Sequence, residues 1–380
     1  MYARLRKSLE SKSFFLFGPR GTGKSTWVKQ HFPAAVYLDL LNSSIYNELL
    51  ATPARLESFI PRNATQVVVI DEVQRIPDLL NEVHRLIETR HQIFVLTGSS
   101  ARSIRRRGIN LLAGRALTRS MFPLTTSELG ADFDLRLFLR YGGLPSVYNE
   151  PTSKEYLASY VSTCLREEVQ QEGLTRNLGA FSRFLEAASF SQGQALNVAA
   201  VSRECAVERK VVEHYFGILH DLLLCYRLPV FSKRAKRKVV THQKFYFFDV
   251  GVYQTLRPRG PLDVVAEIDG PALETLFLQE LLAYNSYYDL GYTVYFWRTR
   301  ADVEVDFIVY GEKGLLAFEV KLATQLRRED EKGLKLFLQD YPMAKGYLVY
   351  CGEHVRHEDN ITVLPIEQCL ARLPELLQNP

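Results

Sequence analysis

No two of the five cysteines (Cys164, Cys205, Cys225, Cys351 and Cys369) are spaced as CxxC, and His220, His242 and His354 form no metal-ligand spacing. That excludes a zinc ribbon or a disulfide framework and leaves reduced thiols as the plain reading. Long apolar runs are missing too. The N-terminal stretch MYARLRKSLESKSFFLFG has early charge, but Phe14 to Phe17 is too short for a signal peptide or a membrane span. A cytoplasmic protein without a membrane partner is expected. Repeats and low-complexity tracts are absent. Neither sign of charge dominates: 47 Lys and Arg against 43 Asp and Glu leave +4, which permits an anionic partner without demanding one. What is present is ordinary globular composition, 47% hydrophobic and 24% charged over 380 residues. That length suits about two or three domains.

The front of the chain carries the most specific signal. An apolar strand, Phe14 to Phe17, precedes Gly18-Pro19-Arg20-Gly21-Thr22-Gly23-Lys24-Ser25-Thr26, and a helical pattern follows. This satisfies G-x-x-x-x-G-K-[ST] in the strand–loop–helix context that the chemistry requires. Glycines let backbone N–H groups curl around phosphate oxygens, and the helix N-terminus adds its positive end. Lys24 is expected to reach the β- and γ-phosphates of ATP, and Ser25 to ligate Mg²⁺. The second half of the site is TQVVVIDEVQ. Val67 to Ile70 are apolar without alternation, as in a parallel strand covered on both faces, and end at Asp71 and Glu72. Asp71 is placed for the Mg²⁺ shell, and Glu72 to orient or deprotonate the attacking water. A further strand, IFVLTGSS, ends in Thr97, Ser99 and Ser100. Its hydroxyls suit sensing of the γ-phosphate, Ser99 being the catalytic candidate; a helix N-cap by Ser99 or Ser100 is the alternative.

With LAGR (Leu112 to Arg115), FPLTTSEL and YGGLP (Tyr141 to Pro145), these motifs resemble a family of bacterial and archaeal AAA+ ATPases. Its members carry a C-terminal domain of unknown function with a nuclease-like fold. FYFFDVGV and EVDFIV…FEVK extend the resemblance over nearly the whole chain. It implies a ring, expected to be a homo-hexamer, in which an arginine reaches the nucleotide of a neighbouring subunit. Arg115 is the first candidate, a surface ion pair being the bland alternative. It also implies that YGGLP belongs to a lid, where paired glycines permit unusual backbone turns.

Residues 150 to 190 read as helices. Two more helical patterns follow, separated by a turn near Cys205 to Val207, with Val211, Val212, Tyr215, Leu219, Leu222 and Leu223 at helical spacing. The basic segment Lys233, Arg234, Lys236, Arg237 and Lys238 then precedes a strand, KFYFFDVGV. Helix–turn–helix plus a basic hairpin is a winged-helix pattern, and clustered cations suit phosphate contacts rather than base reading. A solvated charged turn is the alternative.

Near the end, VEVDFIVYGEKGLLAFEVK reads as two neighbouring strands. Strand side chains alternate faces, so Glu319 and Lys321 share one side, and Asp306 shares its own side with Glu304. A preceding helix carries Glu274 and Glu280. Helix acid, Asp306, twelve residues, then Glu319-Val320-Lys321 resembles the PD-(D/E)xK nuclease core. On that resemblance Asp306 and Glu319 hold Mg²⁺, Lys321 orients the water it activates, and Glu274 (or Glu280) completes the site. Such crowded carboxylates repel one another unless a cation joins them.

The expected architecture is α/β: an AAA+ P-loop core (1–130), a helical lid (131–190), a winged-helix module (191–258) and a PD-(D/E)xK nuclease-like αβ domain (268–380). The expected function is ATP hydrolysis coupled to remodelling or translocation of duplex or branched DNA. The alternatives are an ATP-gated metal-dependent nuclease, and an NTP-driven signalling or defence switch whose C-terminal domain only binds partners.

Overall fold

Phe14 to Phe17 lack alternation because each face of their strand meets a separate core. In the computed structural model, which describes all residues except 1, 10, 62–65, 101–111, 149, 165–168, 170–176, 262 and 380, this strand is β1 (Ser13–Phe17). Phe15 and Phe17 join one apolar cluster with Leu38, Ile70, Val83 and Leu96. Phe14 and Leu16 join another with Trp27, Val28, Val69 and Val95. The chain divides into two units, Met1–Pro123 with Asp221–Leu223, and Leu124–His220 with Leu224–Pro380.

The first unit is built on a parallel sheet. Its other strands are β2 (Val36–Asp39), β3 (Val68–Asp71), β4 (Phe94–Gly98) and β5 (Ala116–Ser120). The order is β2-β3-β4-β1-β5, and every pairing is parallel. The strand ending in Thr97 and Gly98 therefore lies between the P-loop strand and the acidic strand. Edge strand β5 is less buried than β1, and its first residue pairs with Ser13, the first residue of β1.

In the second unit, β6 (Gln194–Ala195), β7 (Cys225–Leu228) and β8 (Lys244–Phe247) form an antiparallel sheet in the order β6-β8-β7. Helices Leu178–Ser189, Val198–Cys205 and Arg209–Asp221 accompany it. Ala206, in the left-handed region at φ 52°, makes the turn between the last two. Phe181 and Phe184 pack on Tyr215 at ring distances of 5.1 and 5.3 Å, and Phe216 packs on Phe245 at 5.2 Å. Helix Leu178–Ser189 thus shares a core with the helices after it, across the expected boundary at 190/191. The expected helical continuation over 165–168 lies outside the described residues.

The rest of the unit is a mixed sheet. Its strands are β9 (Thr293–Arg298), β10 (Glu304–Gly311), β11 (Gly314–Lys321), β12 (Lys345–Tyr350), β13 (Arg356–Glu358) and β14 (Ile361–Pro365). They lie in the order β13-β14-β12-β11-β10-β9. The long helix Val265–Tyr287 covers one face, with Phe277 against Phe307 and Phe318. Helix Lys332–Asp340 covers the other, with Phe337 against Trp297. The connection from β7 to β8 is more than a hairpin loop, since it bridges to β9 at Val230–Phe296 and to the residue just past β9 at Val239–Thr299.

Two motifs far apart in sequence meet here. Asp249 caps helix Val250–Leu256 by accepting from the Val252 N–H, and also accepts from the Gly143 N–H at 2.9 Å. A Cβ on Gly251 would stand 2.1 Å from the Tyr141 carbonyl oxygen, and one on Gly142 2.3 Å from Asp249 Oδ1. The YGG and DVG segments are therefore two halves of one joint, where only glycine lets the backbones approach.

Candidate functional site

The P-loop leaves β1 at Gly18, where a Cβ would lie 2.3 Å from the Met121 carbonyl oxygen. Gly21 and Gly23 adopt φ of 84° and 87°, the region that glycine enters without strain. Gly23 begins helix Lys24–His31. The Lys24 ammonium, buried, donates to the carbonyls of Gly18 (2.7 Å) and Pro19 (3.1 Å). Thr22 donates its hydroxyl to the same Pro19 carbonyl.

The acids lie at the end of β3. Asp71 is buried and accepts hydrogen bonds from the Tyr37 and Thr97 hydroxyls. Burial, then the bond and charge of Asp71, push the Tyr37 phenol far above its ordinary range; a hydrogen bond with Ser25 opposes the rise. Tyr37 is thus a neighbour of both expected Mg²⁺ ligands, Ser25 and Asp71. Glu72 is held in the left-handed region at φ 61° and ψ 45°, a conformation that costs a non-glycine residue on the order of 1–3 kcal/mol. Its N–H donates to Thr97 Oγ1 at 3.2 Å, and its carboxylate accepts from Gln74. The same Gln74 amide donates to Ser99 Oγ at 3.2 Å. Gln74 thus links the water-activating candidate to the sensor candidate. Sequence reasoning missed Tyr37 and Gln74. Gln74 stands inside the IDEVQ motif, whereas nothing in VYLD marks Tyr37.

Arg115 is elsewhere. It precedes Ala116, which pairs with the first residue of β1, whereas the P-loop follows the last. In a parallel sheet this puts Arg115 about 16 Å along the strand from its own nucleotide site. There it pairs with Glu88 and holds that carboxyl below its ordinary value.

The second cluster lies in the C-terminal sheet. Asp306 on β10 and Glu319 on β11 face each other: the Asp306 N–H donates to Glu319 Oε2 (3.3 Å), and the Val320 N–H to Asp306 Oδ2 (2.9 Å). Lys321 reaches Glu319 Oε1 at 2.6 Å. Glu274 comes in from helix Val265–Tyr287, accepting from the Tyr246 hydroxyl at 2.6 Å. Its alternative, Glu280, points away and accepts from the N–H and hydroxyl of Thr126. The four residues of the expected nuclease-like set are thus together. A fifth, missed in the sequence, stands among them: the Lys244 ammonium lies 2.6 Å from Glu304, 2.9 Å from Asp306 and 3.1 Å from Glu274.

Burial pushes Asp306 up, but Lys244 and then Lys321 outweigh it and hold the carboxyl below its ordinary value. Burial, then the charge of Asp306, raise Glu274 to about 7 and Glu319 to about 8. Burial lowers the proton affinity of Lys244, yet Asp306 and Glu274 more than reverse this and keep it charged. Among the described residues no group of three or more His, Cys, Asp or Glu side chains is arranged to hold a metal ion. The expected Mg²⁺ ligands Asp306 and Glu319 do not fit that ion as arranged, because the cation facing Asp306 is an ammonium.

The basic segment is exposed, but not all of it is unengaged. Arg237 donates to the buried Asp340 carboxylate at 2.8 Å, and Lys233 lies over the Tyr310 ring. Arg234, Lys236 and Lys238 complete the exposed run.

Comparison with known families divides the chain into three. The family model described as "AAA domain" matches residues 10–130, and two domains of unknown function, DUF8612 and DUF4143, match 132–263 and 269–369. An uncharacterized protein of Mycobacterium tuberculosis is 27% identical over 97% of this chain and 83% of its own length. An uncharacterized Haemophilus influenzae protein is 23% identical over 48% of this chain and 50% of its own. Among solved structures, the Aeropyrum pernix Orc1 protein in complex with DNA matches with 12% identity and a TM-score of 0.26, over 64% of this chain and 86% of that one. Protein VC1899 from Vibrio cholerae matches with 12% identity and a TM-score of 0.24, over 96% and 97%. Among the described residues no helix is long and apolar enough to cross a membrane. Residues 10–130 of this chain are similar to AAA domains.

Proposed function

We propose that this protein hydrolyses ATP and couples the reaction to work on DNA as a homo-oligomer. The carrying observation is the convergence of Lys24, Ser25, Asp71 and Glu72 at the carboxyl end of one parallel sheet, with Thr97 and Ser99 supplied by the strand between them. In this reading Lys24 leaves the Gly18 and Pro19 carbonyls for the β- and γ-phosphates, while backbone N–H groups of Gly21, Gly23, Lys24, Ser25 and Thr26 hold the rest of the chain of phosphates. Ser25 and Asp71 offer oxygen ligands suited to Mg²⁺, which when bound neutralises charge on the phosphates. Glu72, fixed by its backbone and by Gln74, orients the attacking water and accepts its proton. Ser99, through Gln74, makes the position of Glu72 sensitive to what occupies the γ-phosphate site.

The distance between Arg115 and its own P-loop supports a role across a subunit boundary, the remaining use for an arginine in phosphoryl transfer. The order helix, β6, helix, helix, β7, β8 supports a winged-helix reading of the middle segment. Its exposed cations suit a phosphate backbone, read without regard to base sequence. The helix, three strands, helix and strand of the C-terminal domain support a nuclease-like fold. The ammonium in its cluster favours a domain that binds rather than cuts.

The test is the ATPase rate with and without single-stranded, duplex and four-way DNA. DNA-stimulated turnover supports the reading. An active ATPase indifferent to all three favours the nucleotide-driven switch. Arg115→Ala is expected to lower kcat on the order of 10³-fold while sparing ATP affinity. Mixing it with Lys24→Ala protein then restores activity at mixed interfaces, and no rescue at any ratio rejects the trans arginine.

A further inference from the structure

We propose that Lys244 is the resident cation of the C-terminal carboxylate cluster, standing where a divalent ion would otherwise bind. A nuclease-type site becomes in this way an intramolecular clasp that does not cleave. The inference is independent of the ATPase reading.

The geometry is that of a filled site. An ammonium has three N–H donors, and three carboxylates lie within 3.1 Å of this one. The Lys244 side chain is 2% exposed, so water is not its partner. Three of the four acids are committed through both oxygens, and Glu274 through Oε2 alone. Asp306 gives one oxygen to Lys244 and the other to the Val320 N–H; Glu319 gives one to Lys321 and the other to the Asp306 N–H. Glu304 meets Arg298 at 3.3 Å on its second oxygen. Spacings of 2.6–3.1 Å are hydrogen-bond lengths. Mg²⁺ would need oxygens at about 2.0–2.1 Å in near-octahedral array, and Ca²⁺ six to eight at about 2.3–2.6 Å.

A second observation points the same way. Side chains alternate along β8, so Lys244 and Tyr246 share a face while Phe245 turns the other way to meet Phe216 edge to face. Lys244 and Tyr246 both reach Glu274 Oε2. The polar face of this strand is therefore matched to the cluster at two successive positions, and it belongs to a different sheet from Asp306. Lys244 and Asp306 are 62 residues apart in sequence. The cation thus ties the β6–β8 sheet to the C-terminal sheet, a task that a free ion could not perform.

The experiment is a Mn²⁺ titration of nucleotide-free protein, followed by electron paramagnetic resonance, in an Asp71→Asn background that removes the P-loop site. With Lys244 present, no Mn²⁺ site dependent on Asp306 is expected. Lys244→Ala is expected to gain a saturable site at least about tenfold tighter, lost again when Asp306→Asn is added. A folded Lys244→Ala protein that gains nothing overturns the proposal. So does a Mn²⁺ site in the Lys244 protein that Asp306→Asn abolishes, and that measurement needs only the intact lysine if Lys244→Ala fails to fold.

Discussion

Both clusters of this chain gather acids on or beside the strands of a sheet, yet they treat the acids in opposite ways. The carboxylates of Asp71 and Glu72 are held by neutral donors: two hydroxyls on Asp71 and an amide on Glu72. Asp306, Glu304, Glu274 and Glu319 are held by Lys244, Lys321 and Arg298. Neutral donors orient a carboxylate without cancelling its charge, so the first site keeps its attraction for an incoming cation. Internal cations cancel it, and the second site has little left to offer one. Recognising a cation site thus depends less on where the acids are than on which partners already hold them.

The sharpest way to separate the two is to remove one acid from each. Glu72→Gln is expected to leave ATP binding intact and to slow hydrolysis about 10²–10⁴-fold. Glu319→Gln should leave steady-state ATP turnover within about twofold. Equal losses in a phosphate-release assay would break the comparison.

Next in size is the stability carried by the clasp. Lys244→Met strands buried carboxylates, a change that typically costs about 3–5 kcal/mol. Without the ammonium, burial raises Asp306 above its unfolded value, so folding takes up protons and the variant loses stability as pH rises. Thermal unfolding should show the largest deficit near pH 8 and a smaller one near pH 5. A deficit independent of pH would mean that Lys244 acts by packing alone.

Glu280 tests what a buried acid does with no cation beside it. Burial raises it to about 8, against the pull of Thr126 and with a smaller push from Glu128. The folded protein then holds a proton that the unfolded chain releases above the ordinary glutamate range. Stability should fall between about pH 4.5 and 8, by up to about 1.4 kcal/mol per pH unit. Glu280→Gln should remove that slope in denaturant titrations, gaining most at alkaline pH.

The smallest effect on folding is expected at the exposed cations. Replacing Lys236 and Lys238 by Gln should change stability by no more than about 0.5 kcal/mol. If they meet phosphate, the slope of log K for duplex DNA against log salt should flatten by about 0.9 per cation removed. An unchanged slope would move the DNA contact elsewhere.

The P-loop and the acidic strand were legible because their chemistry is local: a few adjacent residues must supply a tight turn, an ammonium and two carboxylates. Asp306, Glu319 and Lys321 were legible for a similar reason, being neighbours across one strand pair. Partners contributed by separate strands were not. Tyr37 reaches Asp71 only because β2 lies beside β3, and Lys244 reaches Asp306 from another sheet. The basic segment read as a free hairpin because the buried carboxylate of Asp340, which engages Arg237, lies 103 residues further on. Strand alternation predicts which face a side chain takes, but not what will stand opposite it.

The glycine joint has a practical consequence for anyone dividing this chain into pieces. Gly142 and Gly251 come from either side of the expected boundary near 190, and neither glycine tolerates a Cβ in place. A fragment ending near residue 190 would keep the YGG half and expose the surface meant for the DVG half. One beginning there would leave the Asp249 carboxylate buried against a partner that had been deleted. Expression trials should therefore treat residues 124–380 as a single piece. Proteolysis should release no stable product cut between these glycines, however many motifs the sequence displays along the way.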